Sequence, residues 1–164
     1  MNTYIGIDPG AKGAICALNP RTGYIQFFDL SHPAKDIFDW LFAFDPQMIE
    51  RIIIEDVHSR FGMSAKSNFS FGWNVSMPHI IFDCLGYTLE KVTPKIWQAE
   101  LGIAVVKDIK GPARQKAIKQ AGAKTCEQLY KGCDIYGPKG GLKDGRSDSL
   151  CIAIYAHLTH KKKS

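Results

Sequence analysis

The chain has 164 residues, 45% of them hydrophobic, and a formal net charge of +5. That length supports one folded unit with a sizeable core, and no apolar stretch approaches the roughly 18 residues of a membrane span. The five cysteines contain no Cys-x-x-Cys pair, which argues against zinc. Cys16, Cys84 and Cys151 sit among apolar residues and read as small core side chains of a protein from a reducing cytosol. The N-terminus enters an apolar run at once, with no basic segment and apolar stretch of a signal peptide.

The elements follow in chain order. Residues 3–8 read as a strand, residues 13–18 as a second and residues 24–28 as a third, with the hairpin turn Asn19-Pro20-Arg21-Thr22-Gly23 between the last two. Ile37, Phe38, Trp40, Leu41 and Phe44 give residues 34–44 a helical spacing. Residues 52–55 form a continuous apolar run ending in Glu55, the pattern of a central strand buried on both faces. Polar residues 58–68 follow. Residues 69–84 read as a helix of high apolar density, interrupted at Pro78. Residues 87–92 read as a strand, residues 112–130 as a basic helix, residues 131–143 as a loop and residues 146–158 as the last helix. The expected architecture is a single α/β domain over residues 1–160, with a mixed five-stranded sheet flanked by helices, and a basic tail at 161–164. This is the element order of a ribonuclease H-like fold.

Charge is divided unevenly. Residues 1–90 carry six Lys/Arg and ten Asp/Glu, net −4; residues 91–164 carry fifteen and six, net +9. A basic half beside a set of acids suits a protein that holds phosphates on one surface and a cation at one point. On charge alone, nucleic acid and an ordinary solvated lysine face stand level.

The acids narrow the choice. Asp8 ends the first strand and is followed by Pro9-Gly10, so its carboxylate is exposed on a rigid mount. Glu55 ends the central strand, while Asp144 and Asp148 lie at the start of the last helical pattern. Acids brought from distant segments to one rim of a sheet are what a hard cation such as Mg²⁺ takes as ligands. Asp56 points to the other side of its strand, and Asp134 reads as solvated.

Tyr-Ile-Gly-Ile-Asp-Pro-Gly at 4–10, Ile-Ile-Ile-Glu at 52–55 and the run from Asp148 to Ile154 together resemble the RuvC family of Holliday-junction resolvases. Val92-Thr93-Pro94 with Trp97 resembles the matching segment of its phage branch. The resemblance implies a DNA endonuclease that uses two Mg²⁺ ions, with Mn²⁺ as a substitute, and leaves 5′-phosphate ends. Asp8, Glu55, Asp144 and Asp148 would be both metal ligands and catalytic acids, with Asp8 bridging the ions. The family's fourth acid usually lies three residues before the position of Asp148, where this chain has Gly145. Asp144 shares a helix face with Asp148 if the helix begins early enough.

Substrate contacts are expected from two regions. Arg60 and Lys66 would hold phosphates, and Phe61, in competition with Phe69, would stack on an unpaired base at the junction centre. Lys110, Arg114, Lys116 and Lys119 would line a helix face toward DNA. The apolar helix at 69–84 exceeds one buried stripe, so a homodimer is expected through it, with Trp73 and Ile81 facing outward. The expected partner is branched DNA and not a membrane; the location is cytoplasmic, that of a bacterial host if the chain is phage-encoded. Other readings remain: a ribonuclease H or a flap and fork debranching nuclease of the same fold, a non-catalytic DNA-binding module, or half of an actin-like kinase.

Overall fold

The structure is a computed structural model that describes residues 2–58, 62, 64–103 and 109–161. Arg60, Phe61, Lys107 and the last residues of the tail lie outside the described residues.

Three strands form first: β1 (Thr3–Asp8), β2 (Ala14–Asn19) and β3 (Tyr24–Asp29). They make an antiparallel meander, while β4 (Ile49–Glu55) and β5 (Glu90–Val92) add parallel to β1. The sheet order is β3-β2-β1-β4-β5, mixed and five-stranded as the pattern predicts. Helices α1 (Ala34–Phe42) and α2 (Ala65–Cys84) cover one face, and α5 (Asp144–Lys161) lies across β1, β2 and β4 on the other. Helix α4 (Gly111–Leu129) packs outside α5, and α3 (Pro94–Glu100) follows β5.

Strand alternation sorts the core into two layers. Ile5, Ile7, Ile15, Ala17, Ile52 and Ile54 pack toward α1 and α2 with Ile37, Leu41 and Phe82. Tyr4, Cys16, Leu18 and Ile53 pack toward α5 with Leu150, Cys151 and Ile154. The same parity puts Asp8, two residues beyond Gly6, on the α5 side, together with Glu55, two residues beyond Ile53.

Several boundaries differ from the sequence reading. Helix α5 begins at Asp144, not Arg146, and α2 starts at Ala65, where the Ser64 hydroxyl caps it by accepting from the Ser67 backbone N–H. Helix α3 was not anticipated, because Thr93-Pro94 looks like a stop although proline at a first helical position is favoured. Helix α2 continues through buried Pro78, and Ile81, expected to face outward, is buried at 7% exposure. Cys84 is exposed at the end of α2 rather than in the core. Asp134 is not simply solvated; it pairs with Arg146.

Helix α5 reaches the sheet through a glycine. A Cβ at Gly6 would lie closer than 3.0 Å to the backbone of Ser149 and Ala153, so only glycine lets the helix settle on β1. Gly145 is confined in the same way, against the backbone of Lys12 and Gly13 in the β1–β2 turn, with which it forms an isolated bridge.

This predicts a contrast between two glycine substitutions. Gly6→Ala should lower stability by at least about 1–3 kcal/mol, because the obstacle is main chain that cannot rotate away. Gly72→Ala, within α2 and with nothing near the new methyl, should be neutral or stabilising by up to about 1 kcal/mol. Urea midpoints of the two variants measure the difference.

Candidate active site

The rim above α5 is assembled from three elements. Asp8 and Glu55 end neighbouring parallel strands, adjacent through the Ile7–Ile54 pairing. Asp144 and Asp148 sit one turn apart on α5. The carboxyl ends of parallel strands are where open α/β sheets build their sites.

Asp8 and Asp148 stand within reach of the charges of the other acids. The Asp8 carboxyl is pushed well above the usual carboxylate range, first by burial and then by the charges of Asp148 and Glu55, with a smaller push from Asp144. Burial, Glu55 and Asp144 raise Asp148 to about 7. Burial also raises Glu55, opposed by a hydrogen bond in which the Trp97 indole Nε1 donates to its Oε1 at 2.9 Å. Trp97 is 1% exposed, so this donor is fixed, and it orients Glu55 by holding one oxygen. The sequence placed Trp97 near a motif but gave it no task; its role follows from α3 delivering the ring under β4.

Asp144 does stand on the α5 rim, yet it is held by an ion pair with Lys119 of α4. The Lys119 ammonium also favours the charged forms of Asp8 and Asp148. Lys119 therefore stands beside the acid cluster, half-exposed and paired with Asp144. Lys110 occupies the position before α4 without a side-chain capping bond, and Arg114 and Lys116 are exposed along its first turns. Lys66 is exposed in the first turn of α2. His58 faces solvent beside Asp56, 3.6 Å from its carboxylate.

A second ionic group fixes the first turn of α5. Arg146 donates from Nε and Nη2 to both carboxylate oxygens of Asp29 at 2.7 Å, and pairs with Asp134 from Nη1. The guanidinium holds the Asp29 carboxyl below its usual range. This clamp ties α5 to the end of β3 and to the 131–143 loop, and so sets where Asp144 and Asp148 stand.

As a donor set, Asp8, Glu55, Asp144 and Asp148 offer hard oxygens to a divalent cation. Asp8 and Asp148 repel each other in the absence of one. Among the described residues, no three His, Cys, Asp or Glu side chains converge closely enough, as they stand, to enclose an ion. The chemistry of the set fits Mg²⁺ or Mn²⁺, and Asp144 is engaged by Lys119.

Burial and its acidic neighbours make Asp148 hold a proton more tightly in the folded chain. Its folded-state affinity for a proton exceeds that of the unfolded chain, so the native state binds more protons between about pH 4 and pH 7. Its contribution is full below pH 4 and is lost as pH rises through 7. A tenfold change in proton affinity corresponds to about 1.4 kcal/mol. In chelator, wild type should lose up to about 3 kcal/mol between pH 5 and pH 8, and Asp148→Asn clearly less. Equal losses in urea titrations would show that the acids do not face one another.

No family model matches the sequence, and no curated protein matches it. Solved structures do. The T. thermophilus RuvC in complex with Holliday junction substrate aligns with a TM-score of 0.62 at 13% identity, over 98% of this chain and 96% of that one. The Thermus thermophilus RuvC structure aligns with a TM-score of 0.58 at 15% identity, over the same shares. The chain therefore has the RuvC, ribonuclease H-like fold along nearly its whole length.

Proposed function

We propose that the protein is a divalent-metal-dependent endonuclease that cuts branched DNA, with four-way junctions as its first substrate. The observation that carries this reading is the meeting of Asp8 with Asp148 and Glu55 on a rim whose residues otherwise form a tight core. A half-buried like-charged cluster is costly for folding, so its presence argues for chemistry. The fold, shared with a RuvC that was solved on a Holliday junction, supports the substrate class.

Asp8, Glu55 and Asp148 would hold the metal, with Asp144 joining when Lys119 moves to a phosphate. Bound Mg²⁺ would supply Lewis acidity at the scissile phosphate and a more acidic water. The chain's own residues orient and shield. Trp97 fixes Glu55, Arg146 fixes the first turn of α5, and the apolar floor below Asp8 keeps that carboxyl largely from water. Arg60, Lys66, Lys110, Arg114 and Lys116 would bind backbone phosphates, and Phe61 would stack on an opened base.

The reading includes a homodimer, so that two rims face the two equivalent strands of a junction. Phe69, Trp73 and Ile80 of α2 are 75%, 68% and 60% exposed, an apolar stripe that no other described residue covers. Large apolar side chains grouped on one face favour association.

A panel of labelled four-way, three-way, flap, linear duplex and RNA–DNA hybrid substrates in Mg²⁺ tests the activity. Four-way junctions should be cut and linear duplex spared. Asp8→Asn should reduce cutting at least about 10³-fold while retaining junction binding, since the two-metal site loses a ligand. A folded Asp8→Asn enzyme that cuts at the wild-type rate refutes the site.

The dimer is tested separately. Trp73→Glu should yield a monomer by light scattering at micromolar concentration, with its circular dichroism unchanged, because Trp73 is exposed within the protomer. A wild-type monomer that still cuts symmetric junctions refutes the dimer.

A further inference from the structure

Beside Asp144 lies a groove of about 370 Å³, bounded by the β1–β2 turn, the β3–α1 turn and the residues entering α5. Lys12 stands on one wall and Lys143 on the other, with Gly13 and the Ser31 hydroxyl between them. We propose that this groove takes the sugar-phosphate backbone of the cut strand immediately beside the scissile phosphate, gripped by Lys12 and Lys143. The proposal rests on the endonuclease reading and adds the path of the strand.

Three observations support it. First, both walls are held by main-chain hydrogen bonds. Leu30 N–H donates to Gly13 O at 2.9 Å, and Lys143 N–H donates to Ile135 O at 2.8 Å. The Gly13–Gly145 bridge joins the two walls directly. The lysines therefore project from backbone that does not need ordering on binding.

Second, the cations of the groove divide into used and unused. Arg146, also at its edge, is neutralised by Asp29 and Asp134. Among the described residues, Lys12 and Lys143 form no ion pair. The Lys143 charge also helps hold the Asp29 carboxyl low, while the two acids lining the groove, Asp29 and Asp144, are already paired with Arg146 and Lys119. Two cations outside any ion pair at one cleft match a phosphodiester, whose single negative charge is shared by two non-bridging oxygens that point in different directions.

Third, the groove ends at Asp144 and so leads into the acid rim. A strand crossing carboxylates meets repulsion on either side of the cut. Cations next to the rim offset it and fix the register of the phosphate to be cleaved.

The test pairs protein and substrate changes on a synthetic four-way junction. Single phosphates flanking the cut are replaced by neutral methylphosphonates, and junction affinity is measured for wild type, Lys12→Ala/Lys143→Ala and a control, Lys131→Ala/Lys139→Ala. Circular dichroism confirms folding. Wild type should lose about tenfold in affinity at one or two phosphates next to the cut, the scale of a charge-assisted contact. The groove variant should show that loss on native DNA and no further loss at the same phosphates. Its slope of log K against log salt should be shallower by about 1–2, since each phosphate contributes about −0.9. Full additivity at every phosphate, or a groove variant that equals the control, overturns the groove with the endonuclease intact. Wild-type protein that neither binds nor cuts any branched DNA overturns the endonuclease reading, and the groove with it.

Discussion

The site depends on how closely α5 approaches β1. The acids come from separate parts of the chain, and only that approach brings Asp148 to Asp8. Gly6 makes it possible by offering no side chain where the backbone of Ser149 and Ala153 passes. Small residues on the helix complete the fit: Ser149, Cys151 and Ala153 are fully buried. Tight packing of this kind leaves little room for adjustment, so the geometry of the rim is inherited from the core beneath it. The Arg146 clamp then fixes the rotation and end of the same helix, at the cost of two charges that take no part in the rim.

Charge at the rim shows the opposite economy. Burial raises Asp8, Glu55 and Asp148, and repulsion from neighbouring acids adds to the rise at Asp8 and Asp148, which weakens the folded state near neutral pH. Lys119 relieves part of this from α4 and occupies Asp144 while doing so. A lysine in that place lets the chain fold with its acids assembled. Local rules of folding are broken at this one place and obeyed in the layers below, the distribution expected of a functional site.

Much of the fold is legible in the sequence because its signals are local. The meander follows from Asn19-Pro20-Arg21-Thr22-Gly23, and the central strand from the unbroken run at 52–55. Asp8 and Glu55 stand out because an acid directly after a buried strand has no packing reason. What could not be read depends on distant backbone. Nothing local announces that α3 continues from Thr93-Pro94, that Trp97 reaches Glu55, or that Arg146 bridges Asp29 and Asp134 across more than a hundred residues. Ile81 and Cys84 were misplaced because α2 carries apolar residues on every side, so periodicity could not tell its core face from its outer one. That position 145 is glycine is explained only in three dimensions. Backbone of Lys12 and Gly13 lies where a side chain at Gly145 would be, so no acid can stand there, and Asp144 is the acid that opens α5.

That last feature bears on how far such a chain can diverge. The β1–β2 turn and the start of α5 recognise each other through main chain, at Gly13 and Gly145, and α5 meets β1 through main chain at Gly6. Contacts of this type ask only for the absence of a side chain at a few points and leave the surrounding residues free to change. Shape can then persist at 13% identity, with little shared wording for a comparison of sequences to find. What holds this shape is a few glycines and the path of the backbone.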